Sequence, residues 1–174
     1  MSKPPTRRTL RLLLRAPEPA DVDPLFTIQS DPEAMRFTYC SPSREATATR
    51  LAEYADRFAE DGFAPWTVIL AEEDRVIGWG GLNKDPGEPE WGSEVAYYFD
   101  PAYWRRGLAT ELVRASLAHA FEDLDLPRRG RLHQAREPRL DSLATKNRVR
   151  IGSLRSRAGA QRVPDLRGFL GAAR

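Results

Sequence analysis

Cysteine is almost absent from this chain: Cys40 stands alone, so no internal disulfide can form. Histidine is nearly as scarce. His119 and His133 stand apart, no Cys/His cluster has metal-ligand spacing, and a structural metal is not expected. No apolar run approaches the ~20 residues that cross a bilayer, and Met1-Ser2-Lys3-Pro4-Pro5 lacks the apolar core of a signal peptide. These absences point to a cytoplasmic protein with no membrane partner. Aromatic residues all but run out and acids become scarce after Pro127, beyond which Phe169 is the only Trp, Tyr or Phe. Residues 1–127 carry 14 Lys and Arg against 22 Asp and Glu, a balance of −8, whereas residues 128–174 carry 13 against 3, a balance of +10. The net charge of +2 conceals this division. A chain of 174 residues, 41% hydrophobic, has room for one core and little for a second.

The chain is organised around Tyr98-Phe99-Asp100-Pro101-Ala102-Tyr103-Trp104-Arg105-Arg106-Gly107-Leu108-Ala109-Thr110-Glu111. An aromatic strand ends at Asp100-Pro101, a short turn carries two arginines, and Gly107 opens an apolar-periodic helix. Free backbone N–H groups at a helix start, the helix dipole and the charges of Arg105 and Arg106 make this an anion site, and Gly107 and Ala109 leave the backbone bare enough for a pyrophosphate. An ordinary capped helix is the competing interpretation.

Elsewhere, Thr9 to Arg15 predicts a buried strand, Pro19 to Ile28 a first helix, and Asp31 to Met35 a turn with a short helical piece. Ser43 is a candidate N-cap for a helix to about Ala59, with Leu51, Tyr54, Ala55 and Phe58 along one stripe. Trp66–Leu70 and Val76–Leu82 form a hairpin signature around a charged turn, and Gly78, Gly80 and Gly81 suggest a bulge or a ligand's close approach. A loop from Asn83 to Trp91, a strand from Ser93 to Phe99 and a helix from Leu108 to Phe121 complete the pattern, the helix facing a core with Leu108, Leu112, Val113, Leu117, Ala120 and Phe121.

The pattern W-x-R-G-x-A-T-E after the strand Glu94 to Phe99 resembles the acetyl-CoA-binding motif of the GNAT superfamily of N-acetyltransferases, most closely the branch that acetylates ribosomal-protein N-termini. Arg11–Arg15 and Ser30–Met35 are similar to that branch's opening segments. Trp104 stands where many relatives carry Gln or Arg. The resemblance covers residues 8–127 and implies an α/β (α+β) fold, a mixed twisted sheet with flanking helices. It also implies a main-chain pyrophosphate site at Arg105, Arg106, Gly107, Leu108, Ala109 and Thr110, with Tyr98 and Phe99 on the pantetheine arm. Acetyl-CoA would be the cosubstrate and a peptide N-terminus or small amine the acceptor, with no covalent enzyme intermediate. A homodimer stays open.

Glu94 matches the carboxylate that takes the amine's proton in many relatives; the alternative is a half-exposed strand glutamate. Tyr97 and Tyr98 point to opposite faces, one expected in the core and one toward the cleft. Cys40 is read as structural, His119 as a surface or core residue, and Trp66, Trp79 and Trp91 as core or loop-packing residues, with Trp79 also a candidate groove wall. The family's usual thiolate donor is a tyrosine, yet none follows Tyr103.

The resemblance further implies a fifth strand, a helix opened by Asn-x-x-Ser and a final hairpin, none of which is visible after Pro127, so the C-terminal part is expected to be incomplete or irregular. A disordered tail and a nucleic-acid arm are both allowed by the basic composition of 128–174. A third reading fits better. When the possible codons of Arg128 to Ile151 are read one nucleotide on, they permit V-V-A-F-T-[K/R]-P-E-N-x-A-S-I-R-L-x-x-[K/R]-[T/I]-G-F-E, which is the missing strand and helix at family spacing. A reading-frame shift near residues 127–129 is therefore expected, with the basic charge a by-product of arginine codons.

Overall fold

Short, nearly continuous apolar runs pass through the centre of the chain, and the structure buries them as strands of one sheet covered on both faces. The computed structural model describes residues 6–36, 38, 40–84, 93–124 and 148–151. Among these, six strands lie side by side in chain order: β1 (Arg7–Arg8), β2 (Leu12–Arg15), β3 (Trp66–Leu70), β4 (Arg75–Lys84), β5 (Ser93–Phe99) and β6 (Arg148–Ile151). The helices are α1 (Val22–Gln29), α2 (Arg44–Asp61) and α3 (Leu108–Ala118), the last continued by one π-helical turn, His119–Asp123.

Every described strand pairing is antiparallel, where a mixed sheet was expected. The single first strand is also corrected. The run from Thr9 breaks into a hairpin, because the Thr9 hydroxyl accepts from the Leu12 N–H at 3.0 Å and the Thr9 N–H donates to the Leu12 carbonyl at 2.9 Å. Leu10 sits at the tip, 91% exposed. Residues 31–36 form turns without the short helical piece. Ser43 caps α2 as expected, accepting from the Ala46 N–H at 3.2 Å. Most of the loop 83–91, with Trp91, and most of the segment after Pro127, with His133, lie outside the described residues. Strand β6 falls within that segment. Its sequence Arg-Val-Arg-Ile alternates at period two, a signal hidden by the arginines around it, and it pairs from Ser93↔Ile151 to Ala96↔Arg148.

One face of the sheet carries α1 and the Leu51 side of α2, packed on Trp79, Ala96 and Tyr98. The other carries α3, whose Leu108, Leu112 and Ala115 cover Ile77, Leu82, Val95, Tyr97 and Phe99. The helix stripe differs from the expected one: Ser116 and His119 are buried, while Val113, Leu117 and Phe121 are half-buried. Gly78 and Gly80 are needed for this packing. A Cβ on Gly80 would lie 2.5 Å from the Tyr97 Cβ and 2.7 Å from a Leu112 methyl, so the neighbouring strand and helix, not a ligand, make the close approach. At the entrance to α1, Asp21 is buried with its carboxylate fully engaged. Arg15 binds it bidentately at 2.7 Å, and Thr67 Oγ1 (2.7 Å) and the Glu18 N–H (2.8 Å) donate as well. This locks β2, β3 and the first helix together.

Candidate active site

Strand β5 delivers the chain to the candidate site with its main chain held on one side. The β4 ladder runs the full length of β5, from Lys84↔Ser93 to Gly78↔Phe99, whereas the β6 ladder ends at Ala96. Past Phe99, the Asp100 carboxylate accepts from the Ala102 N–H at 2.9 Å, and Pro101–Tyr103 makes one 3-10 turn. The Trp104 indole N–H reaches back to the Phe99 carbonyl at 2.9 Å, which closes the turn against the strand. Trp104 therefore occupies the motif's first position as a clamp on main chain. Its ring lies under the Arg36 guanidinium, 4.9 Å away, bringing the loop after α1 beside the turn.

Arg105 and Gly107 both adopt left-handed backbone, with φ of 59° and 76°. Arginine pays for that conformation where glycine does not, and such strain concentrates at sites where the backbone has work to do. The double reversal turns the chain into α3. The Glu111 N–H, bonded to the Gly107 carbonyl at 3.1 Å, closes the helix's first turn, and helix geometry leaves the N–H groups of Leu108, Ala109 and Thr110 without intrahelical acceptors. Arg105, Arg106 and Gly107 are exposed, Ala109 and Thr110 half-buried, and the Leu108 side chain faces the core. Arg106 packs over the Tyr103 ring at 5.0 Å, and the Tyr103 hydroxyl donates to Glu73 at 2.6 Å, a bond that holds its pKa above the usual phenol value. These residues form a concentrated anion-accepting surface at the positive end of a helix.

The pairing of two residues here escaped sequence reasoning. Glu111, one turn into α3, accepts from Thr9 Oγ1 (2.5 Å), the Arg11 N–H (2.8 Å) and Arg11 Nε (2.9 Å), and it pairs with Arg11 Nη2 at 2.8 Å. Burial pushes its pKa up, but the hydrogen bonds from Thr9 and Arg11 and the Arg11 charge outweigh this and hold it below the ordinary value. Arg11 also donates from Nη1 to the Arg106 carbonyl at 2.8 Å. A separation of 100 residues gave no sequence signal for this contact.

Glu94 is buried on the face of β5 that points toward α1 and α2, opposite Asn83 in the ladder, whose side-chain amide donates to it at 3.3 Å. The half-exposed alternative is thereby excluded. Tyr97 and Tyr98 do face opposite ways, but both are buried, because helices cover both sides of β5. The Tyr98 ring stacks on Trp79 (5.2 Å, 14°) and its hydroxyl takes a hydrogen bond from the Gln29 amide, so what Tyr98 has to offer a cofactor is main chain. Trp79, packed also against Tyr54 at 5.2 Å, belongs to the core and not to a groove. Trp66 and His119 likewise pack together in the interior. Cys40, read as structural, is exposed.

The site thus consists of a strand, a left-handed basic turn and a helix N-terminus on a sheet with helices on both faces. The model of the acetyltransferase (GNAT) domain matches residues 11–149. The uncharacterized N-acetyltransferase p20 of Bacillus licheniformis is 30% identical over 125 residues, spanning 71% of this chain and 70% of its own. Among solved structures, an acetyltransferase from Agrobacterium tumefaciens superposes with a TM-score of 0.60 at 26% identity, covering 73% and 72% of the two chains. RimL, a ribosomal L7/L12 alpha-N-protein acetyltransferase solved with coenzyme A, shares the fold at a TM-score of 0.54 and 18% identity, with 67% of each chain covered. The chain belongs to the GNAT acetyltransferase family, whose cosubstrate is acetyl-CoA. Among the described residues, no helix is long and apolar enough to cross a membrane.

Proposed function

We propose that this chain transfers an acetyl group from acetyl-CoA to a primary amine, a protein N-terminus being the acceptor class, by direct attack in a ternary complex. The observation that carries the reading is the left-handed turn at Arg105 and Gly107 feeding the start of α3, with three helix N–H groups and two arginines beside it. In this reading Arg105 to Thr110 hold the pyrophosphate, and the main chain of Tyr98 and Phe99 guides the pantetheine arm toward Glu94. The amine nitrogen forms a bond to the thioester carbonyl carbon, the C–S bond breaks, Glu94 takes the amine's proton, and the departing thiolate is protonated from solvent. The assignment of the acceptor rests on the likeness of Arg11–Arg15 and Ser30–Met35 to the ribosomal-protein branch.

Thiol release from acetyl-CoA, followed with a panel of peptides and small amines, tests the proposal. Glu94→Gln should lower kcat by about 10²- to 10⁴-fold, the usual range for losing a general base, and leave the Kd for CoA unchanged. An unchanged kcat would make Glu94 structural. A second reading, acyl-CoA binding without catalysis, is favoured by the lack of any tyrosine after Tyr103 to protonate the thiolate. Tight CoA binding with no turnover across the panel would select it.

A further inference from the structure

We propose that Arg11 is a positioning residue for the cofactor's pyrophosphate, acting through the peptide between Arg106 and Gly107; this rests on the acetyl-CoA reading of that turn. In a trans peptide, the carbonyl of one residue and the N–H of the next point in opposite directions. The Arg106 carbonyl accepts from Arg11 Nη1 at 2.8 Å, so the Gly107 N–H is directed away from Arg11. Both residues flanking Arg106 are left-handed, and Gly107 is able to adopt either sign of φ, so the chain alone leaves this peptide free to rotate. Arg11 selects one orientation. Its second action is electrostatic. Glu111 places a full negative charge one helical turn from the anion-accepting amides, where it opposes an incoming phosphate. Arg11 meets that carboxylate through Nε at 2.9 Å, Nη2 at 2.8 Å and its own main-chain N–H at 2.8 Å. The same guanidinium thus fixes an amide and neutralises a competing anion, and only the planar, multiply donating arginine fork can do both. The side chain remains 40% exposed, and its Nη2 lies 3.6 Å from where a Cβ on Gly107 would stand, so the group borders the turn itself.

The rival is a tie between the β1–β2 hairpin and α3 that serves stability alone. Calorimetry on the full chain with two ligands separates them: acetyl-CoA, and acetyl-pantetheine, which lacks the pyrophosphate and nucleotide. Arg11→Met should weaken acetyl-CoA roughly tenfold or more, about 1.4 kcal/mol, and leave acetyl-pantetheine unchanged. Arg11→Lys should not restore acetyl-CoA affinity, whereas adding Glu111→Gln to Arg11→Met should recover part of it. Equal losses for both ligands, or no loss for acetyl-CoA, would overturn the proposal. If Arg11→Met does not fold, the same two affinities are read on Arg11→Lys. Wild-type chain that binds neither ligand would defeat the acetyl-CoA reading and the proposal together; wild-type chain that binds acetyl-CoA no more tightly than an unaffected Arg11→Met defeats only the role of Arg11.

Discussion

A carboxylate in the first turn of a helix supports the helix through its dipole, yet beside an anion site it opposes the ligand. Glu111 stands in that position, and the donors from Thr9 and Arg11 keep it ionised and occupied. Because its folded pKa lies below the ordinary value of 4.5, its contribution to stability is present above that value and is lost as pH falls through the folded pKa. The wild-type chain should therefore be more stable than Glu111→Gln at pH 7, and the gap should close as the pH is lowered below 4.5. Thermal unfolding across that range reads it directly, and parallel curves for the two proteins would contradict the assignment. The same scale explains why individual roles were hard to read in the sequence. Arg105, Arg106 and Gly107 declared themselves through local chemistry, whereas Arg11 and Glu111 became partners only when the fold brought them together.

The elements were legible wherever local signals agreed. Ser93–Phe99 emerged with both ends as expected, since an apolar, aromatic run is closed by Asp100-Pro101, and Ser43 marked the start of α2 by its capping chemistry. Signals failed where tertiary contacts decide. The leucines from Leu10 to Leu14 suggested one strand, but Thr9 turns the chain and leaves Leu10 outside. Strand β6 was missed because four alternating residues carry little weight inside an arginine-rich segment. Of the two meanings offered for the glycines of β4, the bulge is present, since the ladder with β3 slips between Val68↔Gly78 and Ile69↔Val76, and the close approach is real but made by protein and not by a ligand. A methyl group on Gly80 meets the Tyr97 Cβ, a Leu112 methyl and the Ala96 carbonyl at 2.5 to 2.8 Å. Gly80→Ala should accordingly cost about 1–3 kcal/mol through overpacking between β5 and α3. A melting temperature within a degree of wild type would show that Leu112 can yield, and would remove the packing explanation.

Across the whole molecule, the boundary near Pro127 divides a well-patterned acidic part from a basic one, and the family match runs past it to residue 149. We propose that the change reflects a reading-frame shift near residues 127–129, in which case the basic charge of the C-terminal part would carry no argument for a nucleic-acid partner. Restoring the frame should return the fifth family strand and the helix after it. At about 25 cal/mol per Å² of buried apolar area, those elements are worth several kcal/mol, enough to raise the melting temperature by roughly 10 °C or more. Equal melting temperatures for the two chains, or an unambiguous gene sequence without an insertion or deletion, would end the idea. The central claim is that the turn from Arg105 to Thr110 binds the pyrophosphate of acetyl-CoA, and calorimetry of the full chain against its Gly107→Asp variant tests it most directly. Aspartate tolerates left-handed backbone better than most residues, so the fold should survive while a negative charge enters the anion site. The account predicts saturable acetyl-CoA binding by the wild-type chain and a loss of at least about 100-fold in the variant at a melting temperature within a few degrees; equal affinities for the two would place the cofactor elsewhere and contradict it.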